Sequence, residues 1–183
     1  MSITDYHFVS RWRVEGTCEE VSEVLADAEG LSRWWRAVYL RVEILEAGDE
    51  RGVGQLVRVH TKGWLPYTLR WEFRNIESRR PYGSTVEAIG DLEGRGIWTF
   101  EQDGAFVNIT YDWRVRGRKA LIRALSFLFK PIFAANHRWA MRRGEESLRL
   151  ELLRRRARTA EELARISPPP PPTFTRNREG RRH

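Results

Sequence analysis

The sequence predicts an α+β domain: a seven-stranded antiparallel sheet, two short helices between strands 1 and 2, and a long C-terminal helix. Three observations predict it. Residues 5–16 and 38–117 carry apolar side chains at a period of two, the mark of half-buried strands. The turn signals between these strands are short, so sequential strands pair antiparallel. After Gly117 the apolar period becomes helical and stays so to about residue 165.

In "DYHFVSRWRVEG", Tyr6, Phe8, Trp12 and Val14 share one face, and His7, Arg11 and Arg13 the other. "TCEEVSEVLADA" follows as a helix. Thr17 and Glu20 form a capping box, and Val21, Val24, Leu25 and Ala28 recur at helical spacing. Gly30 ends it, and "LSRWWR" makes a second short helix that runs into a strand. Six strands follow: "VYLRVEILEAG", "GQLVRVHTKG", "YTLRWEFRNIES", "STVEAIGDLEG", "RGIWTFEQDG" and "AFVNITYDWRVRG". Their turns read as "GDERG", "GWLP", "RRPYG", "EG" and "DG". Leu121, Leu125, Leu128 and Phe129 open the final helical stretch, and Pro131 marks a kink or a fresh start. From there to about Arg165 only Gly144 interrupts, as a tolerable glycine. A helix of that length spans about 50 Å, whereas a ten-residue strand spans about 33 Å, so "ELLRRRARTAEELAR" is expected to overhang the sheet. "SPPPPP" stops the helix. The domain therefore covers residues 1–165, and residues 166–183 form a Pro/Arg-rich disordered tail.

The chain has 183 residues, 41% of them apolar and 11% aromatic, including eight Trp, which is enough for one core. A single cysteine, Cys18, excludes an intrachain disulfide, and no basic-then-apolar leader is visible in "MSITDYHFVS". No apolar run approaches the roughly 18 residues of a membrane span, so a cytoplasmic location is expected. The net charge of +7 is unevenly placed: residues 1–115 are net acidic and residues 116–183 strongly basic.

The order strand, two short helices, six strands and a closing helix resembles the helix-grip fold of the START-related, or SRPBCC, superfamily. More narrowly it resembles the polyketide cyclase/dehydrase and lipid transport branch. The residues that carry this are "RWRVEGTCEEVSEVLADAEGLSRWW", "GDERGVGQLVRVHTKGWLPYTLRWEF" and "FKPIFAANHRWAMRRGEESLRLEL", and the likeness covers roughly residues 4–160. The resemblance implies a curved sheet wrapped around the long helix, with a cavity between them. It also implies a lipid, sterol, polyketide, quinone or plant hormone as ligand, and polyketide cyclisation or dehydration in a minority of members.

Strand parity selects the inward residues. Trp12 aligns with Phe8 and Ser10, Trp71 with Tyr67, Leu69 and Phe73, Trp98 with Phe100, and Trp113 with Val107, Ile109 and Tyr111. Trp34 and Trp35 are adjacent and cannot both face one core. Within the resemblance, one points into the cavity while the other packs under the first helix or rims the mouth; otherwise both fill the core. Polar groups on the inner face are Ser10, Thr61, Tyr111 and Asn136. Asn136 lies on the apolar stripe of the long helix, so its amide needs a partner: a ligand, Tyr111, a water or a carbonyl. His137 lies about 100° further round and is expected to face out or cap a strand edge. The candidate ligand-binding set is Ser10, Trp12, Trp34, Trp35, Thr61, Trp71, Trp98, Tyr111, Trp113 and Asn136.

No catalytic signature is legible. His7, His60, His137 and His183 are scattered, no spacing suits a metal, and "GVG" and "GRG" open no helix. Tyr111 with Asp27 or His137 is a conceivable acid–base pair whose members the sequence does not bring together. Arg–Trp neighbours such as Arg70-Trp71 suggest nucleic acid, but on a strand the two point to opposite faces, which argues against a stacking platform. Arg154, Arg155, Arg156 and Arg158, with tail residues Arg176, Arg178, Arg181 and Arg182, offer a peripheral contact with anionic membrane. The reading is a protein that binds a hydrophobic small molecule in an internal cavity, as carrier or sensor, without cofactor or metal. The alternative is a polyketide cyclase/dehydrase-type enzyme in which Tyr111 and Asn136 polarise a carbonyl; a protein-interaction module with a filled core is a further option.

Overall fold

A computed structural model describes residues 5–117 and 120–174, with side chains from 6–117 and 131–174. The elements are β1 (Asp5–Glu15), α1 (Cys18–Ala26), α2 (Leu31–Trp34), β2 (Tyr39–Glu46), β3 (Leu56–Lys62), β4 (Thr68–Ser78), β5 (Gly83–Gly90), β6 (Leu92–Asp103), β7 (Phe106–Gly117), α3 (Ala120–Arg156) and α4 (Ala160–Arg165). The seven strands form one antiparallel sheet in the order β1-β7-β6-β5-β4-β3-β2. The sheet curves, and α3 packs along its concave side with α1 and α2. This is the predicted architecture.

Local chemistry explains the elements. Thr17 caps α1: its hydroxyl accepts from Glu20 N–H at 3.2 Å, and the Glu20 carboxylate accepts from Thr17 N–H at 2.8 Å, the expected capping box. The two-residue alternation of β1 and β7 buries Trp12, Val14, Val107, Ile109, Tyr111, Trp113 and Val115. From the other side come Val21 and Val24 of α1, Leu31 and Trp34 of α2, and Met141, Leu148 and Leu152 of α3.

Three local expectations are corrected. The β5–β6 turn sits at Gly90–Asp91, not at "EG". Asp91 N–H donates to Arg70 O and its carboxylate accepts from Arg70 N–H, which closes the corner, while Gly90 takes φ +117 where a Cβ would lie 3.1 Å from Trp71 Cα. Helix α3 runs through Pro131 without interruption but ends at Arg156, short of residue 165. Thr159 then caps α4 by accepting from Glu162 N–H at 3.1 Å. The sequence "TAEE" carries that cap signature. Nor does the end of α3 overhang freely. Glu151 and Leu152 are buried, Arg155 pairs with Glu151 and Asp27, and Arg156 grips Glu20 and the Glu15 carbonyl. The basic run Arg154–Arg156 is thus engaged within the domain, whereas Arg158 is exposed.

The segment after α4, expected as tail, lies against the domain over residues 167–173. The Arg154 guanidinium donates to Ser167 O, Arg36 Nε to Pro169 O at 2.9 Å, and Lys62 Nζ to Thr173 O at 2.6 Å. The arginines at 176, 178, 181 and 182, His183, and the side chains of Leu121, Leu125, Leu128 and Phe129 lie outside the described residues. Among the described residues no helix is long and apolar enough to cross a membrane, and no cluster of His, Cys, Asp or Glu could hold a metal ion.

Candidate functional site

Between the sheet and the helices lies a cavity of about 410 Å³. Its sheet wall takes Tyr6 and Phe8 from β1, Thr61 from β3, Leu69, Trp71 and Phe73 from β4, Val86 from β5, Trp98 and Phe100 from β6, and Tyr111, Trp113 and Val115 from β7. Its helical wall takes Leu25 from α1, Leu31 from α2, Trp35 just beyond it, and Phe133, Asn136, His137, Ala140 and Met141 from α3. Asp49 and Glu50 of the β2–β3 loop and Arg80 of the β4–β5 loop add charge at one end.

Small residues in β5 and β6 make room for the rings. Ala88, Gly94 and Gly96 occupy the middle of the sheet, with Ala88 opposite Gly94 and Gly96 opposite Trp113. A Cβ on Gly96 would lie 2.4 Å from Tyr111 Oη and 2.7 Å from Trp113 Cε3, so only glycine lets those rings settle there. Trp98 stacks on Tyr111 at 4.0 Å, Tyr111 on Trp113 at 5.5 Å, and Trp113 meets Trp71 at 5.8 Å. Four rings from β4, β6 and β7 therefore form one continuous run on the cavity wall.

The adjacent tryptophans divide their work. Trp35 lines the cavity; its indole donates to Ala140 O at 3.3 Å and packs against Tyr39. Trp34 is fully buried beneath it, stacked at 5.5 Å. Trp12 supports Trp35 edge-on from β1 and does not reach the cavity. Gly144 of α3 is their seat: a Cβ there would lie 2.4 Å from Trp35 Cζ2 and 2.8 Å from Trp12 Cη2. That glycine is a packing requirement, not merely a tolerated residue.

Charged and polar residues such as Asp49, Glu50, Gln55, Asn75 and Arg80 also line the cavity, and among the aromatic walls the polar groups include Tyr39, Thr61, Tyr67, Tyr111, Asn136 and His137. Thr61 Oγ1 accepts from Trp71 Nε1 at 2.9 Å, and Asn136 Oδ1 accepts from Leu65 N–H at 3.2 Å, so the helix amide holds the β3–β4 turn. Burial pushes the Tyr39 and Tyr111 phenols far up and the Tyr67 phenol to about 12, so all three stay protonated donors at neutral pH. His137, expected to face out, is on the cavity wall. It stacks on Phe8 with centroids 4.3 Å apart, and its Nε2 lies 3.4 Å from Ser10 Oγ. Burial, reinforced by Arg138, lowers its pKa to about 4, which leaves a neutral imidazole at pH 7. Ser10 thus stands behind His137 and off the cavity wall.

Of the ten sequence-selected residues, Trp35, Thr61, Trp71, Trp98, Tyr111, Trp113 and Asn136 come together around the cavity, while Ser10, Trp12 and Trp34 lie behind it. Tyr111 and His137 share the cavity wall; Asp27 instead pairs with Arg155 and Arg33. The sequence reading missed His137, Tyr39 and Phe133. A helix gripped by a curved sheet buries a wider arc than one apolar stripe, and that arc takes in His137.

No family model and no curated protein sequence matches the chain. Solved structures do match in fold. The Zhui aromatase/cyclase from Streptomyces sp. R1128 superposes with a TM-score of 0.69 at 20% identity, over 85% of this chain and 98% of that one. TTHA0849 from Thermus thermophilus gives 0.65 at 14% identity, over 83% and 100%. The di-domain ARO/CYC BexL from the BE-7585A biosynthetic pathway gives 0.62 at 13% identity, over 86% of this chain and 52% of that one. With the sheet order, the gripping curvature and the long closing helix, these likenesses establish that the chain shares the helix-grip fold of these structures.

Proposed function

We propose that this protein binds a hydrophobic small molecule (a lipid, polyketide or quinone-like compound) in the internal cavity, as carrier or sensor. The observation that carries the reading is a cavity of about 410 Å³ walled by Trp35, Trp71, Trp98, Tyr111 and Trp113. Its volume falls within the roughly 300–1,000 Å³ of small-molecule sites, and aromatic walls with a few oriented polar groups are the usual form of such sites. Burying an apolar guest there gains on the order of 25 cal/mol per Å² removed from water. Native mass spectrometry of the purified full chain tests it directly: a co-purifying apolar mass, displaced by added N-phenyl-1-naphthylamine, is expected. If no guest co-purifies and tryptophan emission stays unchanged on titration with that probe to its solubility limit, the reading is wrong.

A second reading, a polyketide cyclase/dehydrase-type enzyme, is favoured by one observation: a neutral imidazole and protonated phenols share the cavity. In that reading His137 takes a proton from a methylene flanked by two carbonyls. The resulting enolate carbon bonds to a second carbonyl carbon of the same chain, whose oxygen is hydrogen-bonded by Tyr111 and takes up the proton that His137 removed, so that both side chains end as they began. Loss of the hydroxyl as water would follow. The oxygen of Asn136 already serves Leu65, so this residue has only its amide nitrogen to offer as donor. Turnover of a linear poly-β-ketone by the parent, retained in Thr17→Ala and abolished in His137→Phe, separates enzyme from carrier.

A further inference from the structure

Pro168–Pro172 fix φ near −65° and favour an extended rod of about 3.1 Å per residue, roughly 15 Å in all. Such a rod is already ordered before it docks, so little chain freedom is lost when it does. In this protein it is tied at both ends and in the middle. Ser167 O accepts from the Arg154 guanidinium at the end of α3. Pro169 O accepts from Arg36 Nε at 2.9 Å, beside cavity-lining Trp35. Thr173 O accepts from Lys62 Nζ at 2.6 Å, Thr173 Oγ1 donates to Gly63 O at 3.1 Å, and the Lys62 ammonium lies 5.3 Å from the Phe174 ring.

Gly63 is where this segment meets the cavity. Lys62, Gly63 and Asn136 all line it. A Cβ on Gly63 would lie 2.1 Å from Asn136 Oδ1, so the glycine backbone sits directly on the helix amide. The same Oδ1 holds Leu65 N–H, and Lys62 N–H donates to Val38 O at 2.9 Å. Thr173 outside, Gly63 between and Asn136 inside thus form one line of contact across the seam between the end of β3 and α3. The outer contacts are isolated side-chain hydrogen bonds, part-buried except for that of Arg154, and without the mutual support of a strand ladder they open more readily than one.

We infer that residues 167–174 are a strap that presses the end of β3 onto α3 and closes the cavity at the Gly63–Asn136 seam, and that an apolar ligand passes by lifting it. The inference rests on the ligand-binding reading above. Three full-length proteins test it: the parent, Thr173→Ala combined with Pro169→Gly, Pro170→Gly and Pro171→Gly, and Arg36→Cys/Pro169→Cys joined by a short cleavable bismaleimide. Stopped-flow uptake of N-phenyl-1-naphthylamine is expected to be roughly tenfold slower in the joined form, to recover on cleavage, and to be several-fold faster in the loosened form. Uptake rates in all three forms within about 1.5-fold of one another overturn the strap while leaving the cavity reading intact. If the parent takes up no probe, the cavity reading fails, and amide hydrogen exchange decides the strap alone. Loosening should raise exchange at Lys62 and Leu65 about fivefold or more with β6 and β7 unchanged, and equal exchange at both amides refutes it.

Discussion

Gly144→Ala sets two known effects against each other, and the structure says which wins. In an exposed helix interior, alanine is preferred over glycine by about 0.8–1.0 kcal/mol, so the substitution would stabilise. Here the new methyl would lie 2.4 and 2.6 Å from Trp35 Cζ2 and Cε2 and 2.8 Å from Trp12 Cη2. Ordinary carbon contacts are about 3.5–4.0 Å, so roughly an ångström of overlap must be relieved. The Trp35 ring has little room to yield: it stacks on Trp34 at 5.5 Å, meets Tyr39 at 5.2 Å, and is tied to Ala140 O at 3.3 Å. Overpacking of this kind costs about 1–3 kcal/mol, towards the upper end where the neighbours are rigid rings. The net is a destabilisation of about 1–2 kcal/mol, or a Tm lowered by about 2–8 °C for a chain of this size. Thermal unfolding followed by far-UV circular dichroism reads it. An unchanged or raised Tm would mean that helix propensity wins, and that Trp35 is not seated on Gly144.

Three further outcomes are expected. The buried imidazole of His137 stays neutral down to about pH 4, whereas in the unfolded chain it protonates near its ordinary value of 6.5. The unfolded state therefore binds the proton first, so its contribution is complete above about pH 6.5 and is lost as pH falls towards 4, roughly 3 kcal/mol in all. Urea midpoints across that window should fall less steeply in His137→Gln, and parallel curves would contradict the placement. Glu151 is 2% exposed and accepts from Arg33 at 2.8 and 2.9 Å and from Arg155 at 3.1 Å. Glu151→Gln should cost about 1–3 kcal/mol in denaturant unfolding, and a loss under about 0.5 would show that water replaces the carboxylate without penalty. Val86→Trp places an indole in the cavity from β5; probe affinity should drop about tenfold or more with the circular dichroism spectrum retained, and undiminished affinity would locate the guest elsewhere.

The legible part of this fold follows from its periods. Alternation in β1 and β7 put Trp12, Val14, Ile109 and Trp113 on the inner face, because each strand has one wet and one dry side. Short turns gave antiparallel neighbours, and Thr17 with Glu20 marked the start of α1. What escaped depends on partners distant in sequence. His137 is inside because Phe8, 129 residues earlier, offers it a ring. The end of α3 is set by Glu20 and Asp27, which draw in Arg156 and Arg155, and by the Thr159 cap, a local signal hidden under continuous helical charge pairing. Gly96, the last residue of "GRG", reads only as a glycine at the head of the strand "RGIWTFEQDG", yet its role is to clear space for a ring on the neighbouring strand. Of the site, parity found the indoles, but whether an inward indole reaches the hollow or props up another indole depends on sheet curvature, which no period encodes.

The run of Trp98, Tyr111, Trp113 and Trp71, with 4.0 to 5.8 Å between neighbouring centroids, makes the wall a built-in optical antenna. Chromophores that close share excitation, so a quencher resting against any member dims them all. Illumination in the near ultraviolet should therefore report occupancy without a label, and the missing light would come from this wall rather than from Trp64 at the surface.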